Sequence, residues 1–147
     1  MFKIDLLRSQ HDDVLAMAER LLQLVDHYDR RKAAIPIVMQ LSRLLGLLRV
    51  HLAHEEIQLY PTLIASSDAE VVRTGQRHVD EMRGLASDFE SFARRWPCSD
   101  SIDGNFEEFR QALRQLLQAL AVRIERENLY LYPLAEAEAH RQSCRAA

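Results

Sequence analysis

Four long segments of this chain repeat apolar residues at alternating steps of three and four, and each is bounded by breakers. That spacing puts one stripe along an α-helix, and a stripe of this kind is unstable until something covers it. The first segment runs from about residue 5 to Tyr28, with Leu7, His11, Val14, Ala18, Leu21 and Val25 in line. The second, from about Ile35 to Tyr60, aligns Ile37, Leu41, Leu44, Leu48, His51, Glu55 and Leu59. Pro36 suits its first turn and Pro61 helps to close it. Ser66, Ser67 and Asp68 offer caps for the third, which reaches about Arg95 and aligns Val71, Thr74, His78, Met82, Leu85, Phe89 and Phe92. The fourth, from about Asn105 to Leu131, aligns Phe109, Leu113, Leu116, Leu120, Arg123 and Glu127.

The pattern predicts an all-α fold, an up-down-up-down antiparallel four-helix bundle over residues 1–135, followed by a frayed C-terminal tail over 136–147. Only 4 Gly and 4 Pro interrupt 147 residues, which suits long helices. The longest connection is expected at SDSIDGN, after Pro97.

A formal charge of −3 gives no pull toward nucleic acid or anionic lipid, and neither partner is expected. Arg30-Arg31-Lys32 and Arg94-Arg95 fall at helix ends, where cations complement the dipole. The start MFKIDLLRSQHDD has no secretory pattern and no run of 18 apolar residues occurs, so no membrane span is predicted. Cys98 and Cys144 lack metal spacing, and a cytoplasmic protein with free thiols is the expectation.

Short connections make neighbouring helices antiparallel, and this aligns several polar residues in depth. His51 and Arg123 lie about nine residues before the ends of their helices, and His78 about nine after the start of its own. All three then sit roughly 14 Å from the same end, with His11 in the early turns of the first helix. One layer of the core is therefore polar.

Helices two and four also end alike. HLAHEEIQLYP, residues 51–61, aligns without gaps on RIERENLYLYP, residues 123–133, matching Glu55 with Glu127. Two inward carboxylates in one layer require cations or shared protons, because an unpartnered buried carboxylate costs several kcal/mol. Imidazoles at His11, His51 and His78 can each offer one nitrogen to a metal and anchor the other. His51 and Glu55, four apart, stack on one helical face. Nitrogen with carboxylate donors suits Fe, Zn or Mn better than Ca or Mg. A lone histidine on an apolar face is usually plain core; the shared depth of three is what singles these out. His54 and Glu56 lie off the stripe, while His27 and His140 are expected in solvent. The tyrosines are expected to pack the bundle end, and Phe89, Phe92, Phe106 and Phe109 to form core toward the other end.

His11, His51 to Pro61, His78 and ENLYLYP from Glu127 resemble the hemerythrin-like, or HHE cation-binding, domain over about residues 5–135. The resemblance implies two iron atoms held by histidines from all four helices and bridged by carboxylates from the second and fourth. His11 and His51 correspond to terminal ligands of one iron, His78 to a ligand of the other, and Glu55 and Glu127 to the bridges. Two positions depart. Arg123 stands where the family has a histidine, and Met82 where oxygen carriers have another. Arginine stays protonated and does not ligate metal as imidazole does. Its guanidinium is expected to fill the second metal's space and pair with Glu127, either alone or together with Glu55.

The leading function is then a metal-binding protein with an impaired dinuclear site, holding one or two iron ions (or Zn or Mn) at His11, His51, Glu55, His78 and Glu127. It would sense or handle oxygen, nitric oxide or iron, with a small diatomic ligand such as O2 or NO. The alternative is a metal-free helical protein that binds a protein partner, with Arg123 replacing the second metal. An enzyme activating oxygen or water at one metal ranks third.

Overall fold

The computed structural model describes residues 3–147, and all regular structure among them is helical. The elements are α1 (Ile4–Asp26), α2 (Ile35–Gln58), α3 (Tyr60–Ile64), α4 (Ala69–Arg95), α5 (Ser99–Gly104), α6 (Phe106–Arg126) and α7 (Tyr132–Ala146). A 3-10 turn at Arg30–Lys32 lies between α1 and α2, and a π-helical turn at Glu127–Leu131 joins α6 to α7. Asp68 caps α4 by accepting the Glu70 backbone N–H at 2.9 Å. The SDSIDGN connection is mostly helical: α5 folds within it, and Ser101 Oγ donates to the Cys98 carbonyl at 2.7 Å.

Four long helices contribute to one apolar core. Val14 and Leu21 from α1, Leu44 from α2, Phe89 from α4, and Phe109 and Leu113 from α6 all lie within it. Each such burial stabilises the fold by about 1.5–3 kcal/mol against the exposed side chain. A smaller apolar cluster gathers Leu7, Leu59, Leu63, Val79 and Leu131. The polar residues of His11, His51, Glu55, His78 and Glu127 belong to neither cluster, although all five are buried. On α6, Leu117 takes the buried place expected for Leu116, which packs half-buried against the core.

Two expectations about helix ends are corrected. Pro61 lies near the start of α3, so the helix is interrupted only at Leu59 and the chain continues as helix. Pro133 likewise begins α7, and residues 136–147, expected as a frayed tail, are helical to Ala146. A proline near a helix start removes an N–H that needs no partner there, so it redirects the path without stopping it. Glu138 anchors α7: it is buried, and Arg141 donates to it at 3.0 Å, a bond that outweighs the opposing effect of burial and leaves its carboxyl below the usual range.

The path Ile35–Ile64 is long and apolar enough to cross a membrane by length and composition, with a mean hydropathy of 1.3 in its most apolar window. The sequence pattern predicts no membrane span, because no run of 18 apolar residues occurs in it. In this fold its inner side is core, and it carries His51 and Glu55 inward.

Gly75 marks a close approach. A Cβ there would lie 2.8 Å from Leu63 Cβ of α3, whereas one at Gly84 on the same helix would meet nothing within 4 Å. Gly75→Ala should therefore destabilise the fold by about 1–3 kcal/mol through overpacking. Gly84→Ala should stabilise it by up to ~1 kcal/mol through helix propensity. Urea denaturation separates the two, and equal signs would contradict this packing. Tyr28 supplies a pH test. Partial burial and a hydrogen bond donated to the Asp103 carboxylate push its phenol from 10.0 to about 12. The folded state holds this proton more tightly, so the stabilisation is complete below pH 10.0 and fades as pH rises toward about 12. The stability difference between wild type and Tyr28→Phe should shrink over that interval.

Candidate metal centre

The polar layer is built by four elements. α1 brings His11, α2 brings His51 and Glu55 one turn apart, α4 brings His78, and the π-helical turn brings Glu127. One ligating atom from each of His11, His51, Glu55 and Glu127 falls within 4.8 Å of the others. His78 stands outside that group but touches it, its Nε2 donating to Glu127 Oε1 at 2.8 Å. All five residues expected as ligands are thus brought to one place, in two grades of proximity.

All four carboxylate oxygens have partners. Glu127 receives His78 on one oxygen and His11 Nε2 on the other, both at 2.8 Å. Burial alone would raise the Glu127 carboxyl, but the bonds from His11 and His78 outweigh it and hold the group well below the usual range. Glu55 accepts from Tyr132 at 2.8 Å and from Tyr60 at 3.1 Å. Burial, reinforced by the carboxylate charges, pushes both phenols far up, so they serve as neutral donors.

The three imidazoles differ in what faces Nδ1. For His11 it is Asn128 Oδ1 at 2.8 Å, and for His51 it is Gln10 Oε1 at 3.0 Å. Both partners are acceptors, so each Nδ1 carries its proton and each Nε2 faces the layer. Gln10 in turn donates to His54 Nδ1 at 2.7 Å, placing half-buried His54 one step behind the site. In His11, burial lowers the imidazole but the bond to Glu127 more than compensates, so the ring holds a second proton more readily and a cation at Nε2 would compete with it. For His78 the Nδ1 partner is Arg123 Nη1, at 3.4 Å. Guanidinium cannot accept a proton, so His78 keeps its proton on Nε2, where it serves Glu127.

Arg123 corrects an expectation. It is buried, but it pairs with Glu81 of α4 and not with Glu127 or Glu55. Glu81 is 44% exposed, so this pair sits at the rim and desolvates less than one between two buried groups. The Glu127 oxygens that Arg123 was expected to meet are occupied by histidines.

Sequence periodicity missed Gln10, Asn128, Tyr60 and Tyr132. The tyrosine hydroxyls reach into the site, whereas end packing was expected of them. Each tyrosine follows its glutamate by five residues, off the face in a regular α-helix, and each glutamate-to-tyrosine segment here departs from regularity, by the interruption at Leu59 and by the π-helical turn. The repeated Glu-to-Tyr spacing was the available signal. His27 and His140 are exposed, as their sequence setting suggested.

The donor set fits a cation. His51 Nε2 and Gln58 Oε1 are the buried side-chain polar atoms without a hydrogen-bond partner among the described residues. The His51 lone pair faces Glu55 Oε1 at 3.3 Å, an arrangement that a positive ion between them would stabilise. Residues 3–135 match the family model of the hemerythrin HHE cation-binding domain. The chain belongs to that family. No curated protein and no solved structure shows a significant match to it. In this hemerythrin domain, His11, His51, Glu55 and Glu127 are the group that could hold a metal. His51→Ala should weaken metal binding strongly, and Gln10→Ala by about 10–100-fold, because it orients His51. His27→Ala should change nothing, since that ring bonds only the Gln23 carbonyl of its own helix. Competition against a chelating dye measures all three, and equal losses would mark the metal as adventitious.

Proposed function

We propose that this hemerythrin-family protein is a four-helix, up-down-up-down bundle that binds a single iron ion and serves in sensing or handling oxygen, nitric oxide or iron. The observation that carries the metal is the orphaned His51 Nε2 facing a carboxylate in a closed polar layer. Two imidazoles and two carboxylates form a mixed nitrogen and oxygen set suited to iron, with Zn and Mn as competitors. A bound iron would supply a redox-active centre for a small diatomic ligand. The protein's own part is to orient His11 through Asn128 and His51 through Gln10, and to hold Glu55 with two phenols. The case for one ion rests on His78, whose Nε2 proton is fixed by Arg123 behind it. The alternative, a metal-free helical protein that binds a protein partner, draws on the same layer, where histidines and tyrosines already satisfy every oxygen of Glu55 and Glu127.

Anaerobic titration with Fe(II) should give one tight site in the wild type. Arg123→His should raise the stoichiometry toward two by freeing His78, with the oxidised form followed by absorption spectroscopy. Two tight sites in the wild type would overturn the role given to Arg123. No metal in either variant, with helicity intact, would favour the metal-free function.

A further inference from the structure

Between α4 and the α6–α7 junction lies a cleft of about 460 Å³ that opens beside His78. Its two walls are regular. Thr74, Arg77, His78 and Glu81 recur along one face of α4, and Arg123, Arg126 and Tyr130 along the opposing helix. The chain is acidic overall, at −3, but this cleft carries three guanidinium groups against one carboxylate. Among the described residues, Glu81 is the only carboxylate lining it, and Glu81 is taken by Arg123. The bond from Arg123 also holds the Glu81 carboxyl below its usual range, so that pair is fully charged and internally balanced. Arg77 on one wall and Arg126 on the other form no ion pair among the described residues, although Arg126 also acts on Glu81 through space.

We infer that this cleft binds a phosphate-type oxyanion, gripped from opposite walls by Arg77 and Arg126. The Thr74 and Tyr130 hydroxyls add neutral donors on the same two walls. Donors arriving from two sides match a tetrahedral oxyanion, with acceptor oxygens pointing in several directions, better than a planar carboxylate. Arg123 closes the inner wall: it is buried, fixed between Glu81 and His78, and keeps Glu81 from competing for the two outer arginines. The ligand is either free phosphate or the terminal group of a small phosphomonoester, and the cleft is large enough for both. No metal is needed for this binding, so the site stands or falls independently of the iron centre.

The test uses the full chain, stripped of metal by a chelator, at constant ionic strength. Inorganic phosphate, glycerol phosphate and acetate are titrated separately while amide and arginine side-chain resonances are followed by NMR. Saturable shifts centred on Thr74, Arg77, Arg126 and Tyr130 are expected for the two phosphates, and the tighter of them identifies the source. Arg77→Gln and Arg126→Gln, both at exposed positions, should each weaken binding about tenfold, the order expected for loss of a charge-assisted hydrogen bond. Arg114→Gln, whose guanidinium pairs with Asp26 elsewhere on the surface, should leave binding unchanged. Shifts that do not saturate and spread over all surface arginines would overturn the site. So would acetate binding as tightly as phosphate, or cleft variants that bind like wild type with native helicity.

Discussion

Two carboxylates, Glu55 and Glu127, are buried side by side in the interior of a helical protein whose core is mainly apolar. Each would cost several kcal/mol if left alone, and the rest of the layer is arranged to prevent that. Glu127 is served by imidazoles and Glu55 by phenols. The difference has consequences. Imidazoles can carry positive charge and exchange it for a metal, whereas the tyrosines stay neutral and hold Glu55 in orientation. Charge compensation is thus concentrated at Glu127, and the unmet demand lies at His51.

The tautomers of the three histidines follow from what stands behind them. Side-chain carbonyl oxygens of Gln10 and Asn128 accept hydrogen bonds from Nδ1–H of His51 and His11, and this leaves the far nitrogen to the layer. Arg123 behind His78 enforces the opposite state. A single substitution on α6 therefore acts on a residue of α4 through a hydrogen bond, without entering the layer between the carboxylates. Glu81 makes this arrangement stable by pairing with Arg123 at the rim, where solvent still reaches one partner.

Local departures from α-helical geometry place the tyrosines and Asn128. The π-helical turn at Glu127–Leu131 inserts extra backbone per turn, so Glu127, Leu131 and Tyr132 are all buried and Asn128 reaches His11. The α-helix is interrupted at Leu59 at the corresponding place, between Glu55 and Tyr60, which hydrogen-bond to each other. Both distortions precede a proline, and in both the chain resumes as helix.

The apolar stripes, their breakers and the common depth of His11, His51, His78, Glu55 and Glu127 were legible in the sequence alone. So was the gapless repeat that matched the two glutamates. These features depend on the 3.6-residue period and on counting residues from helix ends, and both are properties of the linear chain. The partner of Arg123, the inward turn of the tyrosines and the roles of Gln10 and Asn128 were decided by the tertiary structure. Gln10 lies one residue off the His11 stripe, and its value depends on α2 presenting His51 and His54 to it. Arg123 is expected from the sequence to meet Glu127 and Glu55, but histidines and tyrosines occupy their oxygens in the fold, and Glu81 of α4 receives it at the rim. Periodicity determines which face of a helix turns inward, but which atoms then meet depends on how neighbouring helices are set against each other and on where a turn departs from the α-helical period.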